Sequence, residues 1–174
     1  MSETVLLNLS EFDPQWKHEY QTEKIELLAV FGDAALEIEH IGSTSVPGLA
    51  SKPIIDIAVI IAHRENADRF TDALAAKGYA LSSNSTERHF YVKRRPRECH
   101  LSVAYADQGG FWPRQILFRD YLREHRAARE EYARLKEDLL RRDPSGETYL
   151  EGKTDFVYRI LELAGWRRGE KYTR

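Results

Sequence analysis

The chain has little of several things that would narrow its role at once. It has one cysteine, Cys99, among 174 residues, so no intramolecular disulfide can staple the fold, and the cysteine framework of a small secreted domain is missing. Charge of one sign is not in excess. The 26 Lys plus Arg stand against 28 Asp plus Glu, a formal net charge of −2, so no global positive field draws in a nucleic acid backbone. Nucleic acid is therefore disfavoured as a partner, and a small molecule is favoured. No apolar run approaches the roughly 20 residues a membrane-spanning helix needs, and no basic segment followed by an apolar one opens the chain. The expectation is a cytoplasmic protein without a membrane role. There is no internal repeat and no low-complexity tract, and no pattern specifies an oligomer. What is present is 42% hydrophobic content, enough for one substantial core in a chain too short for two full domains.

Periodicity then divides that single domain, 1–174. After a short apolar run, Val5 to Leu9, Asp13-Pro14 suits the start of a helix whose stripe is Trp16, Tyr20, Leu27, Leu28 and Phe31 and whose stop is Gly32. A strand is expected through Ala35 to Ile41. The run IIDIAVII after Pro53 is too short and too β-branched for a helix and reads as a buried strand. Residues near Asn66 to Lys77 read as a helix ended by Gly78, and RHFYVKR and ECHLSVAY as two strands of an antiparallel hairpin joined across Arg95-Pro96. The basic run Lys93-Arg94-Arg95-Pro96-Arg97 reads as its solubilising tip. From Phe111 the composition turns helical in three stretches, 111–125, 126–143 and 149–166, with a frayed tail expected over 167–174. A sheet-rich part, about 1–108, followed by a helical part, about 109–166, predicts an α+β fold with a mixed sheet.

The most informative stretch is HIGSTSVPGLASKPIIDI, His40 to Ile57, where glycines and hydroxyls gather between two strands. Gly42, Ser43, Thr44 and Ser45 can present backbone N–H and hydroxyl donors to phosphate oxygens. It is not a P-loop: the glycine interval is wrong, Lys52 follows Ser51, and Pro53 leads into a strand where a P-loop leads into a helix. Strand alternation puts Ile55, Ile57, Val59 and Ile61 on one face and Asp56, Ala58 and Ile60 on the other. A carboxylate beside a phosphate-friendly loop suggests Mg²⁺, which takes one or two carboxylates plus substrate phosphates. On the later strand Glu98, His100 and Ser102 share a face, so Asp56 can meet Glu98 or His100 if the two strands are neighbours. His40 abuts the loop, with Glu39 on the opposite strand face. Lys52 is within reach of a phosphate. Arg119 and Lys136 are weaker candidates, because their helices are heavily charged and most such residues read as solvated charges.

HIGSTSVPGLASKPIIDI, CHLSV, FRDYL, the Tyr132/Leu135/Lys136 helix and YLEGKTDF together resemble the GrpB family, whose fold is similar to that of the nucleotidyltransferase superfamily. The resemblance runs over essentially the whole chain. It implies a nucleotidyltransferase-like mixed sheet packed with helices, and a site built on a Gly-Ser pair followed by a carboxylate-x-carboxylate strand. Gly42-Ser43 and Asp56 match that pattern; Ala58 stands where the second metal-binding carboxylate would be. Lys153 resembles the lysine that superfamily members use from their helical half to hold a triphosphate, with Tyr149 one turn earlier on the same face. The implied activity is Mg²⁺-dependent transfer of a nucleotidyl group from a nucleoside triphosphate, with Asp56, His100 and Glu98 as catalytic candidates. The alternative is a module that binds a nucleotide or coenzyme A without chemistry.

Overall fold

Asp13 accepts a hydrogen bond from the Gln15 N–H at 2.8 Å and so starts the first helix of the computed structural model, which describes residues 8–169 and 172–173. Helix α1 spans Gln15–Phe31 and ends where Gly32 takes φ 50°. Its buried stripe is Trp16, Tyr20, Glu23, Leu27 and Phe31. Leu28, expected in that stripe, is exposed, and Glu23 is buried instead because Lys93 and Tyr79 meet its carboxylate at 2.7 and 2.8 Å.

Five strands form one mixed sheet: β1 (Ala35–Ile41), β2 (Ile55–Ile61), β3 (Ala80–Asn84), β4 (Arg88–Lys93) and β5 (Cys99–Tyr105), in the order β1-β2-β5-β4-β3. β2 and β5 are parallel and the other pairs antiparallel. The expected hairpin is β4 with β5. Strand alternation sorts the faces as expected: Ile55, Ile57, Val59 and Ile61 join Leu101, Val103 and Tyr91 under α1, whereas Ala58 and Ile60 join Ile41, Ala104 and Trp112 on the other face. Each fully buried isoleucine contributes about 1.5–3 kcal/mol, so a one-residue slip of β2 is strongly disfavoured. β3 was not legible: all five residues of ALSSN are exposed at the sheet edge, so no alternation marks them.

The helix expected over Asn66 to Lys77 is instead two short 3-10 turns, Arg64–Asn66 and Asp68–Phe70, followed by α2 (Thr71–Ala76). The basic run is not a plain solubilising tip. Lys93 is buried against Glu23, and Arg97 reaches back to Glu19 on α1.

The helical part comprises α3 (Phe111–Glu124), α4 (Arg126–Arg142), α5 (Tyr149–Gly152) and α6 (Thr154–Leu163), packed around Val46, Leu49, Leu122, Tyr132, Phe156 and Ile160. Helix α3 also covers the Ala58 face of the sheet through Trp112. The last stretch, read as one helix, breaks at Lys153. A side chain on Gly152 would lie 2.3 Å from Leu139 Cδ2, so only glycine lets α5 sit this close to α4. Of the first apolar run, Val5 to Leu7 lie outside the described residues. Ser10 forms an isolated antiparallel bridge with Ser51. In the tail, Glu170, Lys171 and Arg174 also lie outside; Tyr172 is held, its hydroxyl donating to Glu37 at 2.6 Å and its ring edge-on to Trp112. Among the described residues no helix is long and apolar enough to cross a membrane.

Candidate functional site

Parallel pairing of β2 with β5 puts Asp56 directly beside His100. The Asp56 Oδ1 lies 3.4 Å from His100 Nδ1, and Glu98 Oε1 lies 3.4 Å from Nε2, so one imidazole bridges two carboxylates. Partial burial opposes a charge on His100, but the two carboxylates outweigh it and hold the imidazole above its ordinary pKa. Asp56 also explains Gly42, which has φ 70°: a Cβ there would lie 2.4 Å from Asp56 Oδ2. The chain between β1 and β2 therefore passes directly over the carboxylate.

That loop opens with a 3-10 turn, Ser43–Ser45. As at any helix start, its first N–H groups have no acceptor inside the turn. Its hydroxyls divide, however. Thr44 Oγ1 donates to Ile54 O at 3.0 Å and Ser45 Oγ to Gly42 O at 2.6 Å, and both side chains are buried, so these two predicted phosphate contacts hold the loop's own shape. His40 also turns away. It pairs with Ile57, on the aliphatic face, where its ring stacks on Tyr20 at 4.8 Å and its Nε2 meets Thr44 Oγ1 at 3.0 Å. Burial, with Arg123 and Arg119 nearby, lowers its pKa to about 4. The residue on Asp56's face of β1 is Glu39, which pairs with Ala58 across the strands.

Two residues read as solvated charges are buried parts of this region. Arg119, on α3, donates to Glu39 at 2.6 Å and to His40 O at 2.9 Å; beside it Arg123 donates to Ser45 O at 2.9 and 3.0 Å, so α3 clamps both ends of the turn. Lys136, on α4 and 1% exposed, donates to Ser43 Oγ at 3.2 Å and to Ala50 O. The signal for Lys136 was available: Tyr132, Lys136 and Leu140 recur at i, i+4, i+8 and form the buried stripe of α4. Arg119 has no comparable signal, because its partners come from β1.

Lys52, from the segment before β2, and Lys153, from the helical part, converge on Tyr149, each ammonium 4.2 Å from the ring centroid. Burial and the charge of Lys52 lower the Lys153 pKa to about 8, with Asp56 pulling the other way. Burial and then Lys153 lower Lys136 to about 7. Lys52 is lowered by burial too, against the pull of Glu98. None of the three forms an ion pair among the described residues. Three amines are thus crowded together, partly desolvated, beside Ser43 and Asp56.

The donor set suits one divalent ion shared with ligand phosphates, with Asp56 as the protein's carboxylate. It does not suit a pair. Ala58 is fully buried beneath α3, and Glu39 across from it is committed to Arg119. Among the described residues no group of three or more His, Cys, Asp or Glu is placed to hold a metal.

Comparison with known proteins agrees with this architecture. The model of the family described as GrpB protein matches residues 7–163. The UPF0157 protein YqkA of Bacillus subtilis is 33% identical over 91% of this chain, which spans only 47% of that relative's length. A dephospho-CoA kinase of Mycobacterium bovis is 30% identical over 75% of the chain, which corresponds to 39% of the kinase. The crystal structure of conserved protein GrpB from Enterococcus faecalis superposes with a TM-score of 0.83 at 32% identity, covering 90% of this chain and 96% of that one. The Cid1 poly(U) polymerase, in a structure with Mg and 3′-dATP bound, superposes with a TM-score of 0.57 at 14% identity over 89% of this chain and 50% of that one, a likeness of fold.

Proposed function

The chain belongs to the GrpB family, and from that premise we propose that its cleft binds the phosphates of a nucleoside triphosphate. The observation that carries the reading is the pair of ammonium groups, Lys52 and Lys153, that form no ion pair among the described residues and lie over one tyrosine ring beside Asp56. A desolvated cation without a counter-charge is costly, and a polyphosphate removes that cost at every lysine together. Ser43 and the amides of the turn add donors, and Lys136 fixes Ser43 from behind. Asp56 would hold a single Mg²⁺ arriving with the nucleotide; bound there, the ion would neutralise phosphate charge.

The chemistry that fits this arrangement is nucleotidyl transfer. An acceptor oxygen bonds to the α-phosphorus, the bond from that phosphorus to the bridging oxygen breaks, and pyrophosphate leaves with the electron pair. The acceptor's proton passes to the Asp56–His100–Glu98 group, which holds two carboxylates around one imidazole. Most of the rate would come from positioning and charge.

One observation favours a second reading, a module that binds a nucleotide or coenzyme A without turnover: Ala58 and the Arg119–Glu39 pair leave one carboxylate where transferases of this fold place two. A titration of ATP and coenzyme A into the protein, with and without Mg²⁺, decides binding, and pyrophosphate release decides chemistry. ATP binding weakened by Lys153→Ala, with release abolished by Asp56→Ala, is the expected result. ATP binding that ignores Lys52 and Lys153 would end the proposal, and binding without release would select the module.

A further inference from the structure

Beyond His100, the same face of the sheet carries a further cation that forms no ion pair among the described residues, although Asp56 and Glu87 favour its charge from a distance. Arg88 opens β4, two residues before Phe90, and the register Arg88↔Ala104, Phe90↔Ser102, Val92↔His100 places all three side chains on the face of Asp56, His100 and Ser102. Its guanidinium lies between two rings, 4.5 Å from the centroid of Phe90 and 4.7 Å from that of Phe111. One of its terminal nitrogens donates to Ser102 Oγ at 2.5 Å. Phe90 in turn sits edge-on to His100 at 5.3 Å, so ring, imidazole and guanidinium form one continuous wall.

The carboxylates that could neutralise Arg88 are engaged elsewhere. Glu87 is held by Arg114 through two hydrogen bonds of 3.0 and 2.6 Å, and Asp56 faces His100. Arg88 forms no ion pair among the described residues, although its burial disfavours the charge. A planar, stacked, half-buried guanidinium with donors left over matches an oxyanion in geometry as well as in charge.

We infer that Arg88, with Ser102 and the Phe90 and Phe111 rings, is the subsite for an oxyanion, phosphate or carboxylate, carried by the acceptor. This rests on the reading that Lys52 and Lys153 hold the donor triphosphate. The two cationic foci then flank the Asp56–His100–Glu98 group, and an acceptor anchored by its anion lays a nearby hydroxyl against His100. The substrate class is a hydroxyl compound bearing its own negative group, which a neutral alcohol cannot replace.

The test is a calorimetric titration of inorganic phosphate into the full chain saturated with α,β-methylene-ATP. The expected result is one saturable phosphate site, weakened at least about tenfold in Arg88→Gln and partly retained in Arg88→Lys, while affinity for the analogue stays within about twofold. Absence of a saturable site overturns the inference, as does a site indifferent to Arg88→Gln. So does an Arg88→Gln variant that loses the analogue as fully as it loses phosphate, which would put the guanidinium on the donor. The Arg88 Nε–H resonance of the unsubstituted protein must also shift with phosphate, a readout that needs no variant; a stationary resonance overturns the inference. Repeating the titration with acetate tells a carboxylate acceptor from a phosphorylated one by which anion binds more tightly. If the analogue itself fails to bind, the donor reading falls by itself. Phosphate is then titrated into the nucleotide-free Lys52→Ala/Lys153→Ala protein, where binding that depends on Arg88 supports the subsite and its absence overturns it.

Discussion

Binding of a triphosphate should take up protons from solution, because the amines that receive it are partly neutral beforehand. Lys153 has a pKa of about 8 and Lys136 of about 7, both depressed first by burial and then by neighbouring lysines. A polyanion placed between them favours their charged forms and returns both pKa values toward the ordinary value of about 10.4. At pH 8 the free protein holds roughly half a proton on Lys153 and roughly a tenth on Lys136. Full protonation in the complex therefore takes up about 0.5 proton at Lys153 and up to about 0.9 at Lys136. The terminal phosphate of the ligand, with a second pKa near about 6, is already ionised at that pH and contributes little. The sign follows directly. The complex binds more protons than the free protein between the depressed and the restored pKa values, so affinity is greatest below about pH 7 and falls as pH rises through about 8. Calorimetry at pH 8 in Tris and in HEPES, whose ionisation enthalpies differ, gives the proton count from the difference between the two apparent heats. Lys153→Met should remove about half a proton from that count. Zero uptake, or proton release, would refute the claim that the phosphates bind against Lys153 with Lys136 behind Ser43.

Two further outcomes test the architecture around the site. Gly42→Ala should destabilise the fold by about 2 kcal/mol or more, because the added Cβ meets the Asp56 carboxylate at 2.4 Å and the backbone is at φ 70°; a urea midpoint unchanged from that of the parent would contradict the close approach. Lys93→Met should cost about 3 kcal/mol by leaving Glu23 buried without its cation, read by urea denaturation, with no change in ATP affinity because the pair lies on the opposite face of the sheet from the cleft; weakened ATP binding would show the two faces to be coupled.

What could be read in advance follows the range of the signal. Strand alternation in β2 and β5 predicted which face each residue takes, because a period of two is written into adjacent residues; a meeting of Asp56 with Glu98 or His100 was expected only on condition that the two strands are neighbours. The meeting itself needed β2 and β5 to be neighbours, which periodicity does not say; the parallel pairing supplied it. His40 was placed by proximity along the chain, but its strand parity puts it on the Tyr20 side. Thr44 and Ser45 looked like free donors because the loop's own carbonyl acceptors, Ile54 O and Gly42 O, are set by folding. Arg119 and Arg88 were invisible for a similar reason. Their environments are assembled from distant segments, so a charged residue on a charged helix and one at a strand start carry no local mark.

The two faces of the sheet handle charge differently, and that contrast supports the proposal that the Asp56 face takes an anionic ligand. Under α1, buried ionisable groups find partners within the fold: Lys93 with Glu23, Tyr79 with the same carboxylate, and His89 between Tyr105 and Asp68. The chain is therefore able to neutralise what it buries. On the Asp56 side, among the described residues, Lys52, Lys136, Lys153 and Arg88 form no ion pairs, while Glu39 goes to Arg119 and Asp56 and Glu98 go to His100. On the proposed reading, the stability that these open charges cost the free protein is recovered when anions bind. The four cations fall into two groups on either side of one imidazole, a spacing that suits two anionic partners meeting at His100 better than one long ligand lying across it.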